Sequence, residues 1–379
     1  LANAESPVIL AGGGVLRAGA TSELVTLAET LAIPVVTTLS GKGAFPEDHP
    51  LFGYYPGTKG SPIGNDLTTT SDVILALGCR FADETTSSYE QGISFNIPPT
   101  KLIQVDIDSG ELGKNYTPEI SILADARAFL NQVLVRVGDL GLSRDYRGSD
   151  IVTKLQIARD EWMADLLKQR EGTPMTISRL LHEIRTAIPR DAFLVTSAGH
   201  TQAAAFQEFP ILEPNTHISS GGFSTMGFGL PAALGVKLAH PERKVISLEG
   251  DGSFLMTCQE LATAVQYDIP IVVVIADNQG WISIRDLQID AYGNDRIYAT
   301  EFLRKSDNSP YSPDFVKLAK SFGCKSNQAN SPSELQTSMS QALNDNQPWV
   351  IVTTVERTHP RSESPVYGYW DVPKPDYLE

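Results

Sequence analysis

The chain has 379 residues, a formal net charge of −15, and 41% hydrophobic against 20% charged residues. That length is enough for two globular domains, and the acidity argues against nucleic acid or an anionic membrane surface as a partner. No run approaches the ~18 apolar residues of a membrane helix, and Cys79, Cys258 and Cys324 are too few and too scattered for a disulfide framework or a zinc site. The cysteines read as small hydrophobes, Cys258 inside a helix, and a reducing, cytoplasmic setting is expected.

In chain order, Pro7–Ala11 (PVILA) is a strand that runs into Gly12-Gly13-Gly14. A helix over 22–31, strands over 33–38, 72–77 and 101–106, and a helix over 124–137 follow. This alternation predicts a doubly wound parallel sheet over residues 1–137. Three glycines after a strand could cradle a dinucleotide, although the GxGxxG spacing is absent. Residues 138–175 read as a polar, Gly-rich linker followed by a connecting helix over 151–170. A second α/β domain is expected over 176–360, and a tail over 361–379, rich in Pro, Tyr and Trp, that suits a cleft cover or a surface arm equally.

In the second domain Phe193–Thr196 is a strand ending at Ser197-Ala198-Gly199-His200. The strand over 245–249 leads into Gly250-Asp251-Gly252, a crossover helix is expected over 253–267, and the strand over 270–276 leads into Asp277-Asn278-Gln279-Gly280. Two parallel strands joined this way bring the Asp251 carboxylate and the Asn278 amide oxygen to one sheet edge. With the Gly280 carbonyl they make a set of hard oxygens such as magnesium takes, near-octahedrally at about 2.1 Å and beside phosphates. Gly250 and Gly252 let phosphate oxygens approach the backbone, and the Ser253 hydroxyl adds a donor. A Rossmann-type sheet with an accidental Asp and Asn is the bland alternative. His49, His182, His217, His240 and His359 show no metal-ligand spacing.

GDG, a helix, and a strand ending in Asn resemble the thiamine diphosphate motif. The segments 221–235 (GGFSTMGFGLPAALG) and 250–259 (GDGSFLMTCQ) resemble the acetolactate synthase branch of that family. The family motif ends in two asparagines, and here the first is Asp277. The resemblance implies an α/β protein of two doubly wound parallel-sheet domains, a central Rossmann-like one and one that binds thiamine diphosphate. It implies Mg2+ on Asp251, Asn278 and Gly280. Cofactor contacts carried over are Gly199, His200, Met226, Gly250, Gly252, Ser253, Met256 and Asn278. Met256 corresponds to the apolar wedge that bends the cofactor and Met226 to a neighbour of its aminopyrimidine, although methionine alone is usually a gap filler. Trp281 and Arg285 fall where family members shape an acceptor pocket; a loop aromatic and a solvated arginine are the plain alternative. Some relatives hold FAD in the central domain. The stretch 81–86 (FADETT) lacks the Arg that follows an acidic pair in those, so a structural domain is expected and FAD is the lesser reading.

The function implied is making or breaking C–C bonds next to a carbonyl, foremost decarboxylation of pyruvate followed by carboligation. Residues 83–86 and 280–284 also resemble a branch that hydrolyses a cyclic diketone in inositol breakdown. A non-catalytic half-site and a plain nucleotide-binding protein are the binding-class alternatives. The opening residues resemble the run-in to the central domain, so an N-terminal aminopyrimidine-binding domain carrying the activating glutamate is expected elsewhere. No catalytic residue is assigned in this chain, and Glu249 is set aside as lying in the wrong half of the site. The family's sites form between subunits, which implies a homodimer or tetramer acting on a small 2-oxo acid or diketone.

Overall fold

Runs of Val, Ile and Leu bounded by glycine or proline form strands buried on both faces, the pattern of a parallel sheet covered by helices. The computed structural model describes residues 1–358 and 367–371. They divide into two units, the first built on Leu1–Asp165 with Pro210–Asn215 and the 367–371 stretch, the second on Leu166–Phe209 and residues 216–358.

The first unit contains β1 (Pro7–Ala11), α1 (Gly13–Arg17), α2 (Thr21–Leu31), β2 (Val35–Thr37), α3 (Pro62–Thr70), β3 (Val73–Leu77), α4 (Asp83–Thr86), β4 (Lys101–Asp106), β5 (Ile120–Leu123) and α5 (Ala126–Asp139). α6 (Asp150–Gln169) runs across the boundary between the units. The strands pair in parallel in the order β2-β1-β3-β4-β5. β5 was not expected from the sequence; it is a short, largely exposed edge strand and lacks the buried apolar run of its neighbours.

The Gly12-Gly13-Gly14 turn lies at the switch point between β1 and β3. The Gly12 amide donates to the Leu77 carbonyl (2.9 Å) and the Gly14 amide to the Gly78 carbonyl (3.1 Å). A Cβ on Gly12 would stand 2.1 Å from the Gly78 oxygen. These glycines therefore let two backbone turns touch, and two of their N–H groups are already engaged.

Lys42, Glu47 and Tyr55 form a cluster with no exposure to speak of. Lys42 Nζ donates to Glu47 Oε2 (3.0 Å) and to the Tyr55 hydroxyl, and Glu47 Oε2 also accepts the Ile211 amide (2.8 Å). Burial pulls Lys42 down and Glu47 up, and their mutual attraction opposes both shifts. The described part of the C-terminal tail docks on the same unit. Thr58 Oγ1 donates to the Tyr369 carbonyl (2.7 Å), Trp370 Nε1 to Asp83 (3.1 Å), and the Asp371 amide to Ser88 Oγ (2.9 Å). The rest of the expected 361–379 tail, and His359, lie outside the described residues.

The second unit carries α7 (Ile177–Ala187), β6 (Phe193–Thr196), α8 (His200–Glu208), β7 (His217–Ser219), α9 (Gly229–Ala239), β8 (Val245–Gly250), α10 (Asp251–Thr257), α11 (Glu260–Gln266), β9 (Val272–Asp277), α12 (Ile282–Tyr292), α13 (Phe315–Ser321), β10 (Lys325–Gln328), α14 (Pro332–Asn344) and β11 (Trp349–Thr354). Its sheet is again all parallel, in the order β10-β11-β9-β8-β6-β7. The expected single helix over 253–267 is two, α10 and α11, broken around Cys258. Thr257 at the break donates its hydroxyl to the Gly227 carbonyl (3.1 Å), and Cys258 is half-buried rather than a core residue. Phe254, Leu261, Val273, Ile275 and Phe315 pack into the core beneath the C-terminal strand edge.

Lys42→Met would leave Glu47 buried without its counter-charge, at a cost of about 3–5 kcal/mol. Urea unfolding should register that loss. The pair Lys42→Met with Glu47→Gln should recover most of it, because glutamine still accepts the Ile211 amide.

Candidate functional site at the carboxyl edge of the second sheet

Strand order reverses at β6, which pairs with β7 on one side and β8 on the other. The crevice outside the carboxyl ends at such a point is where open α/β sheets bind ligands. Three turns meet along this edge, 197–200 after β6, 250–253 after β8 and 277–280 after β9.

Asp251 links two of them. Its Oδ1 accepts the Gly252 amide (2.8 Å) and its Oδ2 the Gly280 amide (2.9 Å). The second bond requires the chain to reverse after β9, which it does through Gln279 at φ 61°, a left-handed conformation rare outside glycine and asparagine. Asp251 is 1% exposed, and burial, with the charge of Asp277 facing it, raises its carboxyl to about 7. Asp277 accepts from Ser312 Oγ (2.6 Å) and the Gln279 amide (3.2 Å). No Lys or Arg among the described residues pairs with either carboxylate.

The end of the Asn278 side chain lies 3.0 Å from the Gly280 carbonyl oxygen and 3.3 Å from Asp251 Oδ1. With nitrogen in that position the amide donates to both. With oxygen there, three oxygens converge, which a hard cation would stabilise. Among the described residues no cluster of three or more His, Cys, Asp or Glu gathers, so a cation here would depend on amide and carbonyl oxygens as well as carboxylate. The residues present thus fit magnesium.

The glycines divide by function. A Cβ on Gly250 or Gly199 would point into open space, so both leave room beside the turns. Gly199 also adopts φ 117°, which an L side chain rarely takes, just before α8 begins at His200. Gly252 differs. A Cβ there would strike the Trp281 indole at 2.2–2.3 Å, so Trp281 lies directly on the Gly252 turn. The indole stands edge-on to Phe302 at 5.7 Å and keeps 37% of its surface exposed.

His200 is buried with Nε2 3.7 Å from Asp286 Oδ2. Arg285 donates from Nε to Asp286 Oδ1 (2.8 Å) and from its guanidinium to the Arg357 carbonyl (2.6 Å), and lies 3.8 Å from Glu301. Its guanidinium is thus engaged within the unit. Met256 is half-exposed, and its Cβ lies 3.1 Å from where a Cβ on Gly227, the residue after Met226, would stand. Ser253 Oγ accepts the Gly227 amide (2.8 Å) and donates to Glu249 (3.0 Å). Of the remaining described histidines, His49 contacts Glu29 (3.3 Å), His217 contacts Thr196 (3.1 Å), His182 contacts Arg170 (3.3 Å) and His240 lies on Phe193 (4.8 Å).

Asp286 was not singled out from the sequence, and Asp277 and Glu249 were noted there but given no role. The signal for Asp277 was the acid standing at the first of two asparagine positions. For Glu249 it was a serine two residues earlier, on the same strand face, and another four residues later.

The raised Asp251 carboxyl carries a sign. Its native value of about 7 lies above the unfolded one, so the native state holds the extra proton and metal-free stability falls as pH rises from about 4 to about 7. Asp251→Asn should flatten that part of the dependence, as read from unfolding midpoints in chelator.

The thiamine pyrophosphate enzyme C-terminal TPP binding domain matches residues 197–353, and the thiamine pyrophosphate enzyme central domain matches residues 1–133. A probable acetolactate synthase large subunit of Methanocaldococcus jannaschii is 38% identical over 364 residues, which is 94% of this chain and 58% of that protein. That of Methanococcus aeolicus is 34% identical over 93% of this chain and 58% of its own length. The acetolactate synthase isozyme 3 large subunit of Escherichia coli is 34% identical over 90% and 58%. The chain therefore spans 58% of the length of these relatives. Among the described residues no helix is long and apolar enough to cross a membrane. With two all-parallel sheets and both matches in sequence order, the chain belongs to the thiamine pyrophosphate enzymes and carries their central and C-terminal TPP-binding domains.

Proposed function

We propose that this chain contributes the diphosphate half of a thiamine diphosphate site to an acetolactate synthase-like enzyme, which decarboxylates a 2-oxo acid such as pyruvate and joins the remaining carbons to a second carbonyl. The observation that carries this is the meeting of the Asn278 amide with the Gly280 carbonyl (3.0 Å) and Asp251 Oδ1 (3.3 Å), where Asp277 faces Asp251. That arrangement is stable once a divalent cation neutralises it. The names of the relatives support the substrate class.

Asp251, Asn278 and the Gly280 carbonyl would hold Mg2+. Gly199, Gly250 and the Ser253 region leave the diphosphate space and donors, and His200, fixed near Asp286, would donate to a phosphate oxygen. Met256 and Met226 would bear on the organic rings. When bound, the cofactor supplies an electron sink for cleavage of the bond next to a carbonyl. The chain's own task is to bind, orient and exclude water. Trp281 lies over the metal turn and would shield it. The aminopyrimidine half of the site would come from a separate domain, in a dimer or larger assembly.

In the full-length protein, titration calorimetry should show thiamine diphosphate binding that requires magnesium and is abolished by Asp251→Ala. Binding without magnesium, or undiminished in Asp251→Ala, would sink the metal assignment. Tryptophan emission should shift on cofactor addition in wild type and lose that shift in Trp281→Phe. Turnover of pyruvate to acetolactate, compared with ring opening of a cyclic diketone, tests the reaction; activity on the diketone alone would reject the carboligase reading.

A further inference from the structure

Glu249 ends the buried part of β8 with 0% exposure, and its partners among the described residues are all neutral. Oε1 accepts from Ser247 Oγ (3.0 Å) and Oε2 from Ser253 Oγ (3.0 Å). The Ser197 hydroxyl and the Leu230 amide complete the ring. Two of these serines do more than satisfy the carboxyl. Ser253 Oγ accepts the Gly227 amide (2.8 Å), and Ser197 Oγ accepts the Gly229 amide (2.8 Å). Glu249 is therefore the common terminus of two relays, each of which suspends one amide of the 226–230 turn.

The surrounding sequence is fitted to this arrangement. A Cβ on Gly229 would stand 2.2 Å from Glu249 Oε1 and 2.9 Å from Ser197 Oγ, so only glycine leaves room for the carboxyl. Gly227 takes φ 74°, and its carbonyl is held from the other side by Thr257. The segments tied together are the start of the 197–200 turn, the entry to α9 and the first turn of α10. An acid fully buried among hydroxyls is a costly choice for a strand end unless its acceptors are needed, since neutral core residues would avoid the desolvation.

We propose that Glu249 is a positioning residue for the cofactor site: through Ser253 and Ser197 it sets the 226–230 turn, and with it Met226, against the Asp251 turn. The inference rests on the reading of this edge as a thiamine diphosphate site. It assigns to a residue that touches no cofactor the registration of two segments that would.

The test uses the full-length protein, with hydrogen exchange of the 226–230 amides measured without cofactor and thiamine diphosphate binding measured with magnesium. Glu249→Ala should speed exchange across this turn and weaken binding by about tenfold or more, the loss expected when buried donors are orphaned. Ser247→Ala removes a hydroxyl that suspends no amide and should leave both readouts unchanged. Glu249→Gln keeps one acceptor oxygen and should restore a large part of each. If Glu249→Ala does not fold, Ser197→Ala cuts only the branch to Gly229 and should speed exchange there while weakening binding. Unchanged exchange in Glu249→Ala or Ser197→Ala, or an equal loss in Ser247→Ala, overturns the inference. Wild-type protein that binds no thiamine diphosphate overturns the cofactor reading instead, a result the cofactor-free exchange data keep distinct.

Discussion

The carboxylate of Asp251 holds the site together by accepting one amide from its own turn and one from the turn after the neighbouring strand. β8 and β9 are already paired residue by residue, from Ile246 opposite Val272 to Gly250 opposite Ala276. The sheet fixes where the strands end, but not how the chain leaves them. The two bonds to Asp251 set both exits, and the end of the Asn278 side chain comes within 3.0 Å of the Gly280 carbonyl oxygen and 3.3 Å of Asp251 Oδ1. The arrangement is electrostatically unfavourable alone, because a buried acid faces Asp277 without a cationic side chain between them. Burial and the facing charge of Asp277 both favour the protonated carboxyl, so the group that sets both exits is itself sensitive to the charge around it.

Strand and helix rhythm was legible because parallel strands are buried on both faces and read as unbroken apolar runs. Pro7–Ala11, Lys101–Asp106 and Phe193–Thr196 are where the sequence puts them. The placement of Asp251 and Asn278 at one sheet edge was legible because glycines flank one and a long strand precedes the other. What stayed hidden depends on partners remote in sequence. The acceptor ring of Glu249 draws on residues 197, 230, 247 and 253, and no local window holds them together. Arg285 had a solvated arginine as its plain alternative, yet it is buried, the acid that engages it is the next residue along, and the carbonyl it reaches is Arg357. The break between α10 and α11 was missed because Thr257 answers to the Gly227 carbonyl, a contact propensity cannot see.

The first unit follows the same logic with a different outcome. Its glycine turn also lies at a switch point, but there the missing Cβ atoms let backbone meet backbone at Gly78. At Gly199 and Gly250 the missing Cβ atoms leave open space. Identical residue types at equivalent places in two similar sheets thus serve packing in one and access in the other. Only the atoms opposite them tell the cases apart.

The contact of Trp281 with Gly252 reaches beyond this molecule. From the sequence Gly252 reads as room for a phosphate, yet the space at that position is filled by an indole. Positions 252 and 281 should then drift as a pair across descendants of this chain. A lineage that keeps a large aromatic at 281 is confined to glycine at 252. One that shrinks 281 gains licence to place alanine or serine there, and an alignment deep enough to separate these lineages would carry the coupling as a written record.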